Sequence, residues 1–189
     1  MEKIFPIEVG VMQNICYVVS SGLAVIIDPG FEADKILKVV NKNKLKVKYI
    51  LITHAHFDHV RAVLEIKHKT NAKVLCHARE NYKYTDETIY NEEEIEVGKM
   101  KIKVIETPGH SLGGCCFLIN EKYLFTGDTL FVKSHGRTDF SGGNHKEIIH
   151  SLKKLFKLPS ATIIYPGHDY NGEKSTIGEE KKFFEENVF

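Results

Sequence analysis

The stretch Tyr49-Ile50-Leu51-Ile52-Thr53-His54-Ala55-His56-Phe57-Asp58-His59 places three imidazoles and a carboxylate within six residues, directly behind an apolar run. The run reads as a strand. Side chains at i and i+2 of an extended backbone share a face, so His54 and His56 project together from the strand end. Val60-Arg61-Ala62-Val63-Leu64-Glu65-Ile66 then has helical periodicity, which puts Asp58 and His59 at a strand-to-helix turn, where an aspartate also suits a helix N-terminus. A lone histidine there would be an ordinary turn residue. Four ligand-type side chains at one strand end are the pattern of a metal site.

Further along, the same arrangement recurs. His110 follows a strand expected over 101–106, in Thr107-Pro108-Gly109-His110. Asp128 follows 122–126, in Thr126-Gly127-Asp128, and His168 follows 161–165, in Tyr165-Pro166-Gly167-His168. Each candidate is preceded by a glycine, which lets the chain bend sharply and approach an ion closely. These residues outnumber the protein ligands of one catalytic zinc. They divide into His54, His56 and His110 for one ion and Asp58, His59 and His168 for another, with Asp128 as the natural bridge. The expectation is therefore two divalent ions roughly 3.5–4 Å apart. Zinc is the first choice, and iron or manganese also suits His/Asp ligation. Asp58 and Asp128 are the expected catalytic carboxylates. Asp28, in the turn Asp28-Pro29-Gly30, is expected to orient a ligand histidine, and Tyr170, two residues after His168, is a candidate substrate contact.

The rest of the chain reads as strands near 4–9, 15–20 and 23–28, a helix over 33–41, strand 47–53, helix 59–69 and strand 73–76. Residues 78–93 are polar and Tyr-rich, with a helical start followed by a loop. Strands follow at 95–97, 101–106, 115–119 and 122–126, then a helix over 144–156 and strand 161–165. Ser175 or Thr176, with Glu179 or Glu180 beyond, forms a capping box that opens a last helix near 177–186. Strands gathered in each half with helices between them predict two sheets covered by helices. The reading is of one domain over 1–189.

Composition excludes several function classes. Lys+Arg 26 against Asp+Glu 25 leaves a net charge of +1, so no basic excess points to nucleic acid. The longest apolar runs are too short to span a bilayer, and the N-terminus lacks a charged-then-apolar signal pattern. Cys16, Cys76, Cys115 and Cys116 show no CxxC spacing and read as buried reduced thiols, as expected of a cytoplasmic protein. A monomer or small homo-oligomer is expected. His68, His77, His135, His145 and His150 have no ligand spacing and read as surface or loop residues.

Thr-His-Ala-His-Phe-Asp-His at 53–59, with His110, Asp128 and His168, resembles the metallo-β-lactamase superfamily. The resemblance implies an α/β fold of the four-layer αββα sandwich type, with metals at the edge between the sheets. Within it the chain looks most like the short bacterial glyoxalase II (hydroxyacylglutathione hydrolase) type, through 127–131, 136–139 and 175–181. That likeness implies a small-molecule thioester substrate, S-2-hydroxyacylglutathione or a related acyl thiol, hydrolysed by a metal-bridging hydroxide. It also places Arg137 at a basic contact with the thiol tail, although Asp139 stands where those enzymes have Tyr. No separate C-terminal helical substrate domain is expected. Lowering the pKa of water from about 15.7 to about 7 is worth on the order of 12 kcal/mol in hydroxide availability, so no protein nucleophile is needed.

A zinc β-lactamase would be expected to carry Cys where Asp128 stands, which argues against antibiotic hydrolysis. Gly-Arg-Thr-Asp-Phe at 136–140 and Tyr-Pro-Gly-His-Asp-Tyr at 165–170 also resemble persulfide dioxygenases. That alternative implies a single iron held by His54, His110 and Asp128.

Overall fold

A computed structural model describes residues 2–189 of the chain. Its first sheet runs β1 (Lys3–Val9), β2 (Asn14–Ser21), β3 (Leu23–Ile27), β4 (Val47–Ile52), β5 (Lys73–His77) and β6 (Glu87–Ile89), in that spatial order. The pairing is antiparallel from β1 to β3 and parallel from β3 to β6. Parallel neighbours need crossovers. Helix α1 (Ala33–Lys42) supplies one between β3 and β4, and helices α2 (Phe57–Val60) and α3 (Val63–Thr70) supply the next.

The second sheet contains β7 (Glu94–Val97), β8 (Met100–Glu106), β9 (Cys115–Ile119) and β10 (Tyr123–Gly127), extended past β10 by β13 (Ile163–Pro166) and β14 (Ser175–Thr176). Between β10 and β13 lie a small hairpin, β11 (Leu130–Phe131) with β12 (Ser134–His135), and helix α4 (His145–Leu155). Helix α5 (Ile177–Asn187) follows β14 and opens with the expected capping box, Thr176 with Glu179.

Strand alternation sorts the apolar residues into three separate cores. Tyr17, Val25, Ile27, Leu51 and Leu75 meet Val104, Cys115, Phe117 and Phe125 between the two sheets. Their alternates Cys16, Val18, Ile26, Ile50 and Val74 face outward onto Ile36, Leu37 and Val40 of α1 and Val63 and Ile66 of α3. On the far side Cys116, Leu118, Leu124 and Ile164 pack against Leu152 and Leu155 of α4 and Phe184 of α5. The result is the four-layer αββα sandwich. All four cysteines are free and buried, and adjacent Cys115 and Cys116 serve opposite faces of β9.

The structure departs from the sequence reading in several places, including the short strands β11, β12 and β14 outside the expected set. The helix expected over 59–69 is broken at Arg61 and Ala62. Ala62 N–H donates to the Pro29 carbonyl at 3.0 Å, and the Asp58 carbonyl it would otherwise use accepts instead from Asn14 Nδ2 at 3.2 Å. The stretch 78–93 holds strand β6 as well as a single 3-10 turn, Ala78–Glu80. His77, expected at the surface, is buried at the end of β5. Among the described residues no helix is long and apolar enough to cross a membrane.

Candidate metal centre

All the candidate ligands gather at one edge of the sandwich, because parallel strands end together. β3 and β4 of the first sheet deliver Asp28 and the His54–His59 segment; β8, β10 and β13 of the second deliver His110, Asp128 and His168. Three groups of ligand atoms lie within 4.8 Å of one another: one joins Asp28 to His54 and His59, and the other two are the expected trios, His54, His56 and His110, and Asp58, His59 and His168. Asp128 touches both, with Oδ2 3.5 Å from His110 Nε2 and 3.4 Å from His168 Nε2, and Oδ1 3.3 Å from His59 Nε2. Asp58 Oδ2 stands 3.7 Å from His59 Nε2 and 3.6 Å from His168 Nε2. The structure therefore brings all seven predicted ligands together, in the expected grouping.

What each imidazole does with its outer nitrogen decides which lone pair faces inward. A carbonyl can only accept, so His110 Nδ1, 2.7 Å from the Arg137 carbonyl, and His168 Nδ1, 2.8 Å from the Met12 carbonyl, must each carry their hydrogen there. His59 Nδ1 donates to Asp28 Oδ2 at 3.1 Å. Thr53 Oγ1 donates to Asp28 Oδ2 at 2.6 Å, which leaves its oxygen free to accept from His54 Nδ1 at 3.1 Å. Four histidines are thus set with bare Nε2 atoms pointing inward, while His56 presents Nδ1, 2.9 Å from His110 Nε2. Such outer hydrogen bonds are how metal-binding histidines are held in register.

Asp28 holds the His59 ring and the Thr53 hydroxyl through one carboxylate oxygen. It does so from a left-handed backbone, φ 50, with its other oxygen accepting from Thr53 N–H at 2.8 Å.

The donor set fits divalent cations. His54 Nε2 and Asp128 Oδ1 are buried without a hydrogen-bond partner. With neutral rings the inward-facing nitrogens and carboxylate oxygens are all acceptors, and a cation lying among them satisfies them together. Burial pushes the His54 and His56 pKa values down, favouring the neutral form a metal needs. Burial also works downward on His59 and His168, but Asp128 outweighs it and holds both pKa values up, with Asp28 adding to the effect at His59. The Asp128 carboxyl is held well below the usual range by His59 and His168 against the opposing effect of burial.

Close approach at this edge depends on glycine. A Cβ on Gly167 would stand 2.6 Å from Asp128 Oδ1 and 2.9 Å from His59 Cε1. Gly127 holds φ +48 immediately before Asp128, and a Cβ there would run into the Thr53 side chain.

Sequence reasoning missed several supporting groups. Asn14 Nδ2 donates to Asp58 Oδ2 at 2.9 Å. Glu80 fastens the two loops that carry the first trio: Oε2 accepts from Ala55 N–H at 2.6 Å, and Oε1 accepts from Ser111 Oγ at 2.7 Å and Gly113 N–H at 2.8 Å. The Phe140 ring lies edge-on to His56, with centroids 5.6 Å apart. Arg137 engages Asp139 through two hydrogen bonds, Nε to Oδ1 at 2.9 Å and NH2 to Oδ2 at 2.7 Å. Tyr170 is half exposed and stacks on His168, with centroids 4.8 Å apart.

Comparison with known proteins agrees with this edge. A model of the metallo-β-lactamase superfamily matches residues 9–168, which takes in every candidate ligand. The chain belongs to that superfamily. A hydroxyacylglutathione hydrolase from Pelagibacter ubique is 34% identical over 86% of this chain and 70% of its own length. Among solved structures, ETHE1 from Myxococcus xanthus superposes with a TM-score of 0.89 at 32% identity, over 96% of this chain and 82% of that one. The BLEG-1 B3 metallo-β-lactamase gives 0.86 at 33%, over 96% and 97%. TTHA1623, solved in a di-iron-bound form, gives 0.82 at 33%, over 95% and 98%.

Proposed function

We propose that this superfamily member hydrolyses thioesters at a pair of divalent ions, with zinc the expected metal. The observation that carries the reading is the sorting of seven inward acceptors into two trios that share Asp128. His54, His56 and His110 would hold one ion, and Asp58, His59 and His168 the other. Such a pair lowers the pKa of water and polarises a carbonyl.

The chain's own residues prepare that chemistry. The Thr53, Asp28, Met12 and Arg137 oxygens hold the imidazoles in one tautomer. Asn14 turns the Asp58 carboxylate so that its Oδ2 stands beside both His59 and His168. Placed there, Asp58 can accept a proton from the attacking water. Ser, Cys and His side chains need not form a covalent intermediate; all four thiols are buried, and burial raises the pKa of each. The identity with a hydroxyacylglutathione hydrolase supports the thioester class.

A second reading is favoured by one subset of the geometry. His54, His110 and Asp128 form a two-histidine, one-carboxylate face, the arrangement used by mononuclear iron oxygenases. Elemental analysis of freshly purified protein decides between the two, alongside turnover of S-lactoylglutathione, simple acyl thioesters, glutathione persulfide and a β-lactam. Two ions per chain with thioester cleavage supports the proposal. One iron per chain with oxygen consumption and sulfite release would replace it, and turnover of the β-lactam alone would give the activity named for the BLEG-1 likeness. Asp128→Ala should lose metal and turnover together, and an active, fully loaded Asp128→Ala protein would refute the site.

A further inference from the structure

Exposed apolar side chains are unevenly distributed on this molecule. Val11, Phe57, Leu112, Phe140 and Tyr170 are all between 44% and 94% exposed; Phe140 and Tyr170 contact candidate ligand histidines, and the other three lie within two positions along the chain of groups of the metal centre. Phe57 follows His56 and meets Phe31 edge-on, with centroids 6.1 Å apart. Leu112 is two residues past His110 and borders the Gly142 turn, where a Cβ would lie 3.5 Å from Leu112 Cβ. The Phe140 ring reaches both His56 and His110, with centroids 5.6 and 6.1 Å away. Tyr170 covers His168. Val11 neighbours Met12, whose carbonyl holds His168. An apolar rim around a charged centre is unfavourable in water unless something covers it.

The charge at this rim points the same way. Glutathione brings carboxylates that need cationic partners. Arg137 gives its guanidinium edge to both oxygens of Asp139 and lays its face over Phe140, 4.4 Å from the ring centroid. That cation is already neutralised, and its remaining surface is part of the apolar wall.

We propose that the thioester taken by this centre carries a hydrocarbon acyl group, gripped by Val11, Phe57, Leu112, Phe140 and Tyr170, in preference to a hydroxyacyl group on glutathione. The proposal rests on the hydrolase reading above. Its carrier is the continuity of the rim with the metal centre: Phe140 lies against His56 and His110 and Tyr170 against His168, so an acyl carbonyl at the ions brings its tail within reach of apolar surface. Because the tail is held equally before and during reaction, it acts on KM more than on kcat.

The test uses the metal-loaded full chain and N-acetylcysteamine thioesters with acetyl, butyryl and hexanoyl groups, with S-lactoylglutathione for comparison. kcat/KM should rise about two- to fourfold per added methylene, chiefly through KM. Phe140→Ala and Phe57→Ala should flatten that rise while retaining metal, and Val188→Ala, an exposed apolar change at the C-terminal end, should leave it intact. A flat series overturns the proposal, as does a higher kcat/KM for S-lactoylglutathione than for the hexanoyl ester. So does a dimer at assay concentration that Phe140→Ala dissociates, since a second copy would then be what covers the rim. Failure to cleave any thioester with two ions bound removes the hydrolase reading itself, an outcome distinct from a flat series.

Discussion

At the scale of single residues, the cluster of candidate ligands was legible because few side chains have the required chemistry. His54, His56, Asp58 and His59 stand close together in sequence, and His110, Asp128 and His168 each follow a glycine at a strand end. The groups that orient them carried no such signal. The Met12 and Arg137 carbonyls could belong to any residue type, and Glu80 lies in a polar stretch that resembles solvated loop. Glu80 is nevertheless, like Asp28, a residue outside the ligand set whose loss should be felt at the centre. It accepts from three donors on two loops, so Glu80→Ala leaves the Ala55 and Gly113 amides without their partner. Removing an outer partner of this kind costs roughly 10–100-fold in metal affinity. Competition titration with a chromophoric chelator should show that loss in the first trio. In a cobalt-substituted protein the visible bands should shift, a change that a general loss of stability would not produce. Affinity and spectrum both matching the parent chain would show that Glu80 merely closes a loop.

Elements were read with accuracy that followed their length. Strands of five or more residues show alternation that a sequence carries on its face. β6, β11, β12 and β14, at two or three residues each, are too short to show any period; β6 and β14 pair along longer neighbours, and β11 and β12 pair with each other. The break between α2 and α3 was invisible for another reason: it is made by Pro29 and Asn14, both distant in sequence. Element ends also set the spacing of the centre. Gly167 closes β13 against Asp128 and His59, with 2.6 and 2.9 Å between those side chains and any added Cβ. Gly167→Ala should therefore keep the strands and their far-ultraviolet dichroism but displace Asp128 from the trios. Metal content should fall below one ion per chain by elemental analysis, and a fully loaded variant would show that the edge can open without cost.

Burial of the thiols is a second consequence at this level. Alternation in β5 and β9 sends Cys76 and Cys116 into opposite outer cores. Burial, the largest influence, pushes Cys76 to about 12 and Cys116 to about 11. A raised thiol pKa means the protonated, unreactive form at pH 8. An aromatic disulfide reagent should find no fast-reacting thiol in the native chain at that pH and four after denaturation, matching the four buried cysteines. A rapid native reaction would contradict the packing of those strands.

Across the whole molecule, the centre joins two halves that also meet through apolar contact, hydrogen bonds such as Tyr17 Oη to the Pro166 carbonyl, and the Arg79–Glu106 ion pair. His54, His56, Asp58 and His59 come from the first sheet, and His110, Asp128 and His168 from the second, so each trio draws on both. The start of β2 adds the bridge from Asn14 to His168 and the bond from Ile15 N–H to the Gly167 carbonyl at 2.8 Å. Any cation held here is consequently a crosslink between sheets, and its removal should weaken the whole sandwich. At a free metal concentration about 100 times the dissociation constant, linkage contributes about 2.7 kcal/mol. For a chain of this size each 1 kcal/mol moves the midpoint by about 2–4 °C. A chelator should therefore lower the thermal midpoint by about 5–11 °C, and slow hydrogen exchange should accelerate in β4 and β10 alike. Asp128→Ala should already sit at the lower midpoint and respond little to the chelator. If exchange quickened only around 53–60, the ions would be held by the first sheet alone, and the shared carboxylate would not be the bridge that the geometry makes it.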